Sequence, residues 1–178
     1  MENRSMPLRP LISEQQIHAR IAEMGARIDA DYPAGDLYLI GILKGACFFL
    51  ADLARAIHRE VFIDFMGISS YGMNTRSSGE VKITRDLDIS LEGRHVLIVE
   101  DIVDSGVTLH YLTSVLQTRN PKSVRVAALL DKPERRIRPV DVAYVGFQIP
   151  DEFVVGYGLD YAERYRTLRD VCVLEPPY

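Results

Sequence analysis

One stretch near the middle of the chain constrains the fold more than any other. Residues 96–99 are four consecutive apolar residues, mostly β-branched, which is typical of a strand buried on both faces. Glu100 and Asp101 follow where we expect that strand to end, and a short turn containing Asp104 leads into a helical pattern over 109–116. A strand–turn–helix unit presents backbone N–H groups at a helix N-terminus, where anions bind. The sequence therefore predicts an anion site beside several carboxylates.

The rest of the chain alternates between strand and helix patterns. Ser13 and Gln16 have the spacing of a capping box, and apolar residues then recur at helical spacing. We expect helices at 14–30, 46–58 and 109–116, and strands at 37–42, 61–70, 81–84, 96–99, 124–130, 142–147 and 171–174. This alternation indicates an α/β fold, a mainly parallel twisted sheet flanked by helices, with ligands at the carboxyl ends of the strands.

The composition fits a single domain over residues 1–178. No apolar run is long enough to cross a membrane, and the first residues lack a signal-peptide pattern. Cys47 and Cys172 lack the spacing of a metal site, which favours reduced thiols in a cytoplasmic protein. The formal net charge of −4 at pH 7 argues against nucleic acid as the main partner.

The central segment, Glu-Asp-Ile-Val-Asp-Ser-Gly-Val-Thr at 100–108, closely resembles the phosphoribosyl-diphosphate signature of the type I phosphoribosyltransferases, in the form of the hypoxanthine (6-oxopurine) branch. Four more segments are similar to that branch's other site segments, in the same order: Leu-Lys-Gly-Ala at 43–46, Ser-Tyr-Gly at 70–72, Leu-Asp-Lys at 130–132 and Phe-Val-Val-Gly-Tyr-Gly-Leu-Asp-Tyr at 153–161. The resemblance implies that family's fold, with a small hood region from the N- and C-terminal segments.

The same resemblance implies purine salvage. Phosphoribosyl diphosphate would donate its phosphoribosyl group to N9 of a 6-oxopurine, hypoxanthine and also guanine, giving IMP or GMP and pyrophosphate. It also implies Mg²⁺ as the cofactor and a homo-oligomer, either a homodimer or a homotetramer.

Most of the implied roles fall in the signature loop. Asp104 would handle the proton at N7 of the base as a general acid or base; its structural alternative is a helix cap. A second group would cradle the 5-phosphate through backbone N–H and hydroxyl groups, with the glycine supplying backbone freedom: Ser105, Gly106, Val107 and Thr108. An ordinary helix-start turn is the alternative for that group.

Glu100 and Asp101 would bind the ribose hydroxyls and, together with Asp160 and the substrate, Mg²⁺. Adjacent residues of a continuing strand point to opposite faces of the sheet. We therefore expect these two carboxylates to converge only if the strand ends at them.

Lys44 and Gly45 fall between a predicted strand and a predicted helix, which makes a second turn suited to anions. The resemblance places pyrophosphate there, often beside a non-proline cis peptide at the bond that corresponds to Leu43–Lys44. Arg166 matches a further pyrophosphate contact, with a plain surface arginine as the alternative.

A polar segment bounded by glycines covers residues 71–79. The resemblance makes it a lid that excludes water, with Ser70 and Tyr71 touching pyrophosphate. A simple hairpin loop is the alternative.

Three residues match the base-binding contacts. Lys132 would donate to the exocyclic oxygen of the base, which favours a 6-oxo over a 6-amino group because lysine only donates; the alternative is a surface lysine. Phe153 would stack on the base and the main chain of Val154 would bond its edge, with core packing as the alternative. Position 152 is Glu where some relatives have Lys, which leaves the preference among 6-oxopurines open.

Two other functions remain possible from the sequence. A nucleotide-sensing, RNA-binding regulator of the same fold would need a basic surface, and the only dense basic cluster is Arg-Arg-Ile-Arg at 135–138. A pyrimidine or adenine transferase is the other, and Lys132 and residues 153–160 argue against it.

Overall fold

A computed structural model describes residues 7–70 and 81–176. In these ranges the elements follow in the order β1 (Leu8–Ile12), α1 (Glu14–Asp31), β2 (Leu37–Leu43), α2 (Cys47–Ala56), β3 (Phe62–Ser70), β4 (Val81–Arg85), β5 (His95–Val103), α3 (Val107–Gln117), β6 (Ser123–Asp131), a short 3-10 helix (Pro133–Arg135), β7 (Tyr144–Gln148), β8 (Val154–Val155) and β9 (Val171–Leu174). Tyr71 and the predicted lid over 71–79 lie outside the described residues, and Ser70 is the last residue of β3.

The larger sheet has six strands in the order β4-β3-β2-β5-β6-β7. Five of them are parallel, and β4 pairs antiparallel with β3 at one edge. The predicted mainly parallel α/β sheet is confirmed. After β2 the chain adds β3 and β4 towards one edge of the sheet, and after β5 it adds β6 and β7 towards the other edge. The direction of winding therefore switches between β2 and β5. Ligands of such sheets bind where the carboxyl ends of those two strands meet.

The two faces of the sheet carry separate cores, because successive residues of a strand point to opposite sides. Leu39 and Leu97 pack with α1 and α2, whereas Ile40 and Ile98 pack with α3. Helix α1 begins with the predicted capping box, in which Ser13 and Gln16 bond reciprocally. The central strands are thus fixed on both faces, which gives the loops at their ends a rigid base.

A second sheet of three antiparallel strands, in the order β1-β9-β8, forms the hood from the two ends of the chain. The hood was expected, but strands β1 and β8 were not. Strand β1 contains Pro10 and strand β8 has two residues, so neither has the length or pattern that marks a strand in sequence. Both are extended because they pair with β9.

The expected end of the signature strand was wrong. Strand β5 continues to Val103, with Glu100 opposite Ala128 and Ile102 opposite Leu130 of β6. Backbone pairing depends on the neighbouring strand and not on side-chain polarity, so the ladder passes through the carboxylates. The helix bounds also differ, since α2 ends at Ala56 and α3 begins at Val107. Within the described ranges, none of the helices has the length and apolar character needed to cross a bilayer.

Candidate active site

The turn between β5 and α3 has the geometry of an anion cradle. Gly106 caps α3 with φ +78°, a left-handed conformation that favours glycine. A β-carbon at residue 106 would also lie 2.5 Å from the carbonyl oxygen of Arg138. The predicted need for backbone freedom at Gly106 is therefore confirmed. A cavity of about 100 Å³ opens here, lined in part by Glu100, Asp104, Ser105, Gly106 and Thr108.

Asp104 lies in this turn and forms an ion pair with Arg135, with 2.6 Å between its Oδ1 and the arginine Nε. Arg135 Nη1 also donates to both carboxylate oxygens of Asp151, at 3.2 Å each. Lys132 Nζ is 3.6 Å from Asp151 Oδ1. A chain of charged contacts thus links the predicted proton-handling carboxylate to the predicted base-recognising lysine.

Lys132 is one of the few buried charged residues in the described parts of the chain, with 7% of its surface exposed. It directly follows β6, and its N–H donates to the carbonyl of Val103 at 2.9 Å. Buried ammonium groups need partners, and Asp151 supplies one. The alternative of an exposed surface lysine is therefore wrong.

The basic segment 135–138 is folded onto the signature turn. Arg136 donates to the carbonyl of Asp104 at 2.8 Å and forms an ion pair with Asp131. The carbonyl of Ser105 accepts hydrogen bonds from the N–H groups of residues 137 and 138, at 2.9 and 3.0 Å. Two arginines of this cluster are thus occupied by contacts within the protein.

Glu100 and Asp101 are half-buried, and burial makes the charged form of each carboxylate less favourable. Burial raises the pKa of Glu100 well above its ordinary value, and the neighbouring charge of Asp101 adds to the shift. Burial also raises the pKa of Asp101 to about 6. The hydrogen bond from the Ile102 N–H and the charge of Arg166 act in the opposite direction and lower this pKa. A cation brought to this position would relieve both penalties.

The three predicted magnesium ligands do not form a ready cage. Among the described residues no group of three or more carboxylate, histidine or cysteine side chains is arranged to hold a metal ion. Asp160 is instead occupied by Arg166, at 2.9 Å, and by the N–H of Glu163, at 2.8 Å. Magnesium usually keeps waters and binds through one or two carboxylates plus substrate phosphates. The donor set fits such an ion only if the substrate completes the coordination.

The second anion turn, between β2 and α2, contacts the signature strand. The Leu43–Lys44 peptide bond is cis. A β-carbon on Gly45 would overlap the Oδ2 atom of Asp101, and one on Gly158 would overlap the carbonyl oxygen of Gly45. Three segments distant in sequence therefore meet within van der Waals contact, which only glycine permits at these two positions.

Lys44 and Arg166 both lie beside Glu163. Lys44 Nζ is 2.9 Å from Glu163 Oε2, and Arg166 Nη2 is 3.5 Å from Glu163 Oε1. Arg166 also donates to the carbonyl of Gly158 at 2.8 Å. The two cations matched to pyrophosphate thus lie beside one carboxylate, which the sequence prediction did not include.

The two residues predicted to bind the base, Phe153 and Val154, lie at the start of β8 in the hood sheet. Phe153 is 40% exposed and packs edge-to-face on Tyr161, with 5.8 Å between the ring centroids. Val154 has a buried side chain and pairs with Val173 of β9. Glu152, the departure from some relatives, forms an ion pair with Arg9 at 2.6 Å.

Sequence reasoning missed Arg135, Asp151 and Glu163. Arg135 was visible as part of a basic cluster, but the spacing gave no indication that it pairs with Asp104. Asp151 and Glu163 stand two and three residues from matched positions, at Phe153 and Asp160, and a carboxylate in a loop carries no signal of its own partner.

Comparisons with known proteins agree with the fold. The phosphoribosyl transferase domain model matches residues 12–162. The chain is similar to the hypoxanthine-guanine phosphoribosyltransferase of Bacillus subtilis (52% identity, covering 93% of this chain and 92% of that protein) and to that of Mycobacterium tuberculosis strain H37Rv (54%, covering 93% and 85%). A crystal structure of a hypoxanthine-guanine phosphoribosyltransferase from Bacillus anthracis matches with a TM-score of 0.91 and 44% identity, covering 96% of this chain and all of that one. A ternary substrates complex of the hypoxanthine phosphoribosyltransferase from Trypanosoma cruzi matches with a TM-score of 0.89 and 45% identity, covering 94% and 95%.

Proposed function

The chain belongs to the phosphoribosyltransferase family, and we propose that it transfers the phosphoribosyl group of phosphoribosyl diphosphate to a 6-oxopurine in purine salvage. The observation that carries this proposal is the folded signature turn, with Asp104 linked through Arg135 and Asp151 to the buried Lys132. The relatives with about half of their residues identical support hypoxanthine and guanine as the bases, giving IMP and GMP.

The turn at residues 105–108 would hold the 5-phosphate through the N–H groups at the start of α3. Departure of pyrophosphate breaks its bond to C1′ and leaves positive charge on the sugar ring, as in glycoside hydrolysis. N9 of the base then bonds to C1′, and the proton on N7 passes to the carboxylate of Asp104. Arg135 would have to release Asp104 as the base arrives, because its Nε lies 2.6 Å from the accepting carboxylate.

Pyrophosphate would bind between Lys44, the backbone of Gly45, and Arg166. The convergence of Lys44 and Arg166 on one carboxylate supports this, because two cations that can hold Glu163 can also hold a phosphate oxygen. Ser70 and Tyr71 would add contacts from the segment that leads into the lid over 71–79.

Glu100, Asp101 and Asp160 would hold Mg²⁺ together with substrate oxygens, and the raised pKa values of the first two support a cation there. When bound, Mg²⁺ supplies charge neutralisation for the pyrophosphate leaving group. The side chains of Glu100 and Asp101 would also orient the ribose through its hydroxyls.

Base selection would rest on Lys132, Phe153 and Val154. A buried ammonium group donates to the 6-oxo group and is left unpaired by a 6-amino group, so adenine would be rejected strongly. The exposed ring of Phe153 offers a stacking face, and the main chain of Val154 would bond the base edge.

The family relation supports a proposal for the assembly and the location of the protein. We propose a homodimer or homotetramer, and a cytoplasmic protein in which Cys47 and Cys172 remain the free thiols seen in the fold. Phe62 and Ile63 of β3 point to opposite faces of the sheet, and each is a large exposed apolar side chain of the kind that an interface covers. Light scattering of the purified protein measures the oligomeric state directly.

The test is nucleotide formation from phosphoribosyl diphosphate with hypoxanthine, guanine, xanthine, adenine and uracil, each with and without Mg²⁺. We expect turnover of 6-oxopurines only, and a loss of about 10²–10⁴-fold in Asp104→Asn, which removes the base and keeps the shape. Asp141→Asn, at an exposed position, is the matched control. Adenine or uracil turnover would contradict the role of Lys132. Binding of the sugar donor without turnover of any base would favour the nucleotide-sensing regulator.

A further inference from the structure

The two cations matched to pyrophosphate are both occupied by one carboxylate. Each oxygen of Glu163 faces one of them, with Oε2 2.9 Å from Lys44 Nζ and Oε1 3.5 Å from Arg166 Nη2. Both contacts join a carboxylate oxygen to a cationic side chain, so each is an ion pair. An internal anion therefore stands where an anionic ligand would bind.

The backbone around Glu163 has an unusual conformation. Ala162, Glu163 and Tyr165 have φ values of +50°, +62° and +75°, in the left-handed region that residues with a β-carbon rarely adopt. Asp160 accepts the N–H of Glu163 at 2.8 Å, and Tyr161 and Arg164 bridge across the turn. Several unusual backbone conformations in one short loop indicate a functional constraint on it.

The contact is also placed where a ligand can displace it. The side chains of Glu163 and Lys44 are 66% and 65% exposed, so parting them requires no opening of the core. Asp160 differs, because its ion pair with Arg166 is more buried and can persist when Glu163 moves away.

We propose that Glu163 is an internal competitor for the pyrophosphate subsite, an inference that rests on the proposed function. Without pyrophosphate, Glu163 neutralises Lys44 and Arg166. Pyrophosphate must therefore displace the Glu163 carboxylate from Lys44 and Arg166 before it can bind them. The displaced carboxylate remains nearby, because Glu163 is three residues from Arg166 in the chain. The affinity for pyrophosphate is lowered, and release of the product is correspondingly faster. Glu163 acts through the two cations and is a positioning residue.

The experiment is calorimetric titration of the full chain with inorganic pyrophosphate in the presence of Mg²⁺. Glu163→Gln is expected to tighten binding about two- to fivefold, the range of an exposed ion pair. The matched control is Glu23→Gln, which removes the same charge from a side chain that is 65% exposed and paired with Arg20 at 2.6 Å on α1. The control is expected to bind pyrophosphate as the unmodified protein does.

Two further readouts separate competition from a structural effect. Inhibition of nucleotide formation by pyrophosphate should strengthen by the same factor in Glu163→Gln while the KM for the purine is unchanged. The difference between Glu163→Gln and the unmodified protein should shrink as salt is raised, because exposed charges are screened. A structural role alone would change the melting temperature without changing the affinity for pyrophosphate.

Lys44→Met distinguishes failure of this inference from failure of the proposed function. Weaker pyrophosphate binding in Lys44→Met, together with unchanged or weaker binding in Glu163→Gln, would overturn the competitor role and leave the proposed subsite intact. Unchanged binding in both variants would overturn the placement of pyrophosphate and the inference with it.

Discussion

Gly45 and Asp101 touch across the two central strands: a β-carbon at residue 45 would occupy the position of the Asp101 carboxylate oxygen Oδ2. The contact joins the turn after β2 to strand β5, at the point where the winding of the sheet switches. It also joins the proposed pyrophosphate turn to a proposed magnesium ligand, so the placement of one depends on the other.

Gly45→Ala is therefore expected to impair catalysis more than folding. The added methyl group must push Asp101 or the Lys44 turn away, and displacements near 1 Å in an active site cost about 10²-fold in rate. Steady-state kinetics with hypoxanthine, combined with thermal unfolding, measure the two effects separately.

Gly93→Ala is the control for Gly45→Ala. Gly93 has φ +71°, but a β-carbon there would meet nothing within 4 Å. We expect a loss of stability of about 1 kcal/mol from the left-handed backbone and unchanged kinetics. Equal activity in the two alanine variants would refute the importance of the Gly45–Asp101 contact.

Asp101→Asn is expected to stabilise the metal-free protein while impairing catalysis. The folded-state pKa of Asp101 is about 6, above the ordinary 3.8, so folding opposes ionisation of this group. The folded protein is therefore most stable when Asp101 is protonated, below pH 4. The free energy of unfolding falls as the pH rises to about 6, because Asp101 then ionises at a cost in the folded state. At pH 7 the asparagine should therefore gain about 1–3 kcal/mol, because it keeps the bond from the Ile102 N–H without the charge.

Denaturant unfolding with a chelator at pH 4 and pH 7 measures this effect. Asp88→Asn, at a carboxylate that is 82% exposed, is the control measured beside it. Stabilisation of Asp101→Asn that is equal at the two pH values would count against the electrostatic explanation.

The sheet was predictable because buried parallel strands have a strong local signature. The apolar runs at 37–42 and 96–99 became β2 and β5, buried on both faces. The extent of β5 was not predictable, since pairing with β6 carries the strand through Glu100 and Asp101. Strands β1 and β8 exist through pairing with β9, which no local pattern reveals.

The same distinction holds for the site. Gly106 could be placed because a tight turn before a helix demands a left-handed residue, and glycine is the residue that adopts it freely. The pairing of Arg135 with Asp104 spans 31 positions, and that of Glu163 with Lys44 spans 119. Contacts of that range depend on how loops fold over the sheet. The sequence therefore left the basic cluster at 135–138 open as an RNA-binding surface, whereas the structure pairs Arg135 and Arg136 with carboxylates of the same chain.

Lys132→Gln is expected to lower kcat/KM for hypoxanthine about 10–100-fold, the cost of losing a hydrogen bond from a charged donor in a buried site. The ratio of hypoxanthine to adenine turnover should fall with it, because glutamine can also accept from a 6-amino group. Lys122→Gln is the control, since Lys122 is at a loop position outside the site. A lost hypoxanthine activity with unchanged selectivity would mean that Lys132 supports the fold and does not read the base.

The chain is not expected to bind RNA tightly, even though residues 135–138 carry three arginines. Arg135 and Arg136 are paired with Asp104, Asp151 and Asp131, and binding to phosphates would have to break those contacts. The net charge of −4 adds repulsion from a polyanion. In a gel shift with an RNA hairpin at about 0.15 M salt, we expect dissociation constants weaker than about 10⁻⁵ M. Tighter binding that is lost in Arg138→Gln would show that this segment binds RNA. That result would favour the RNA-binding regulator over the transferase as the function of the protein.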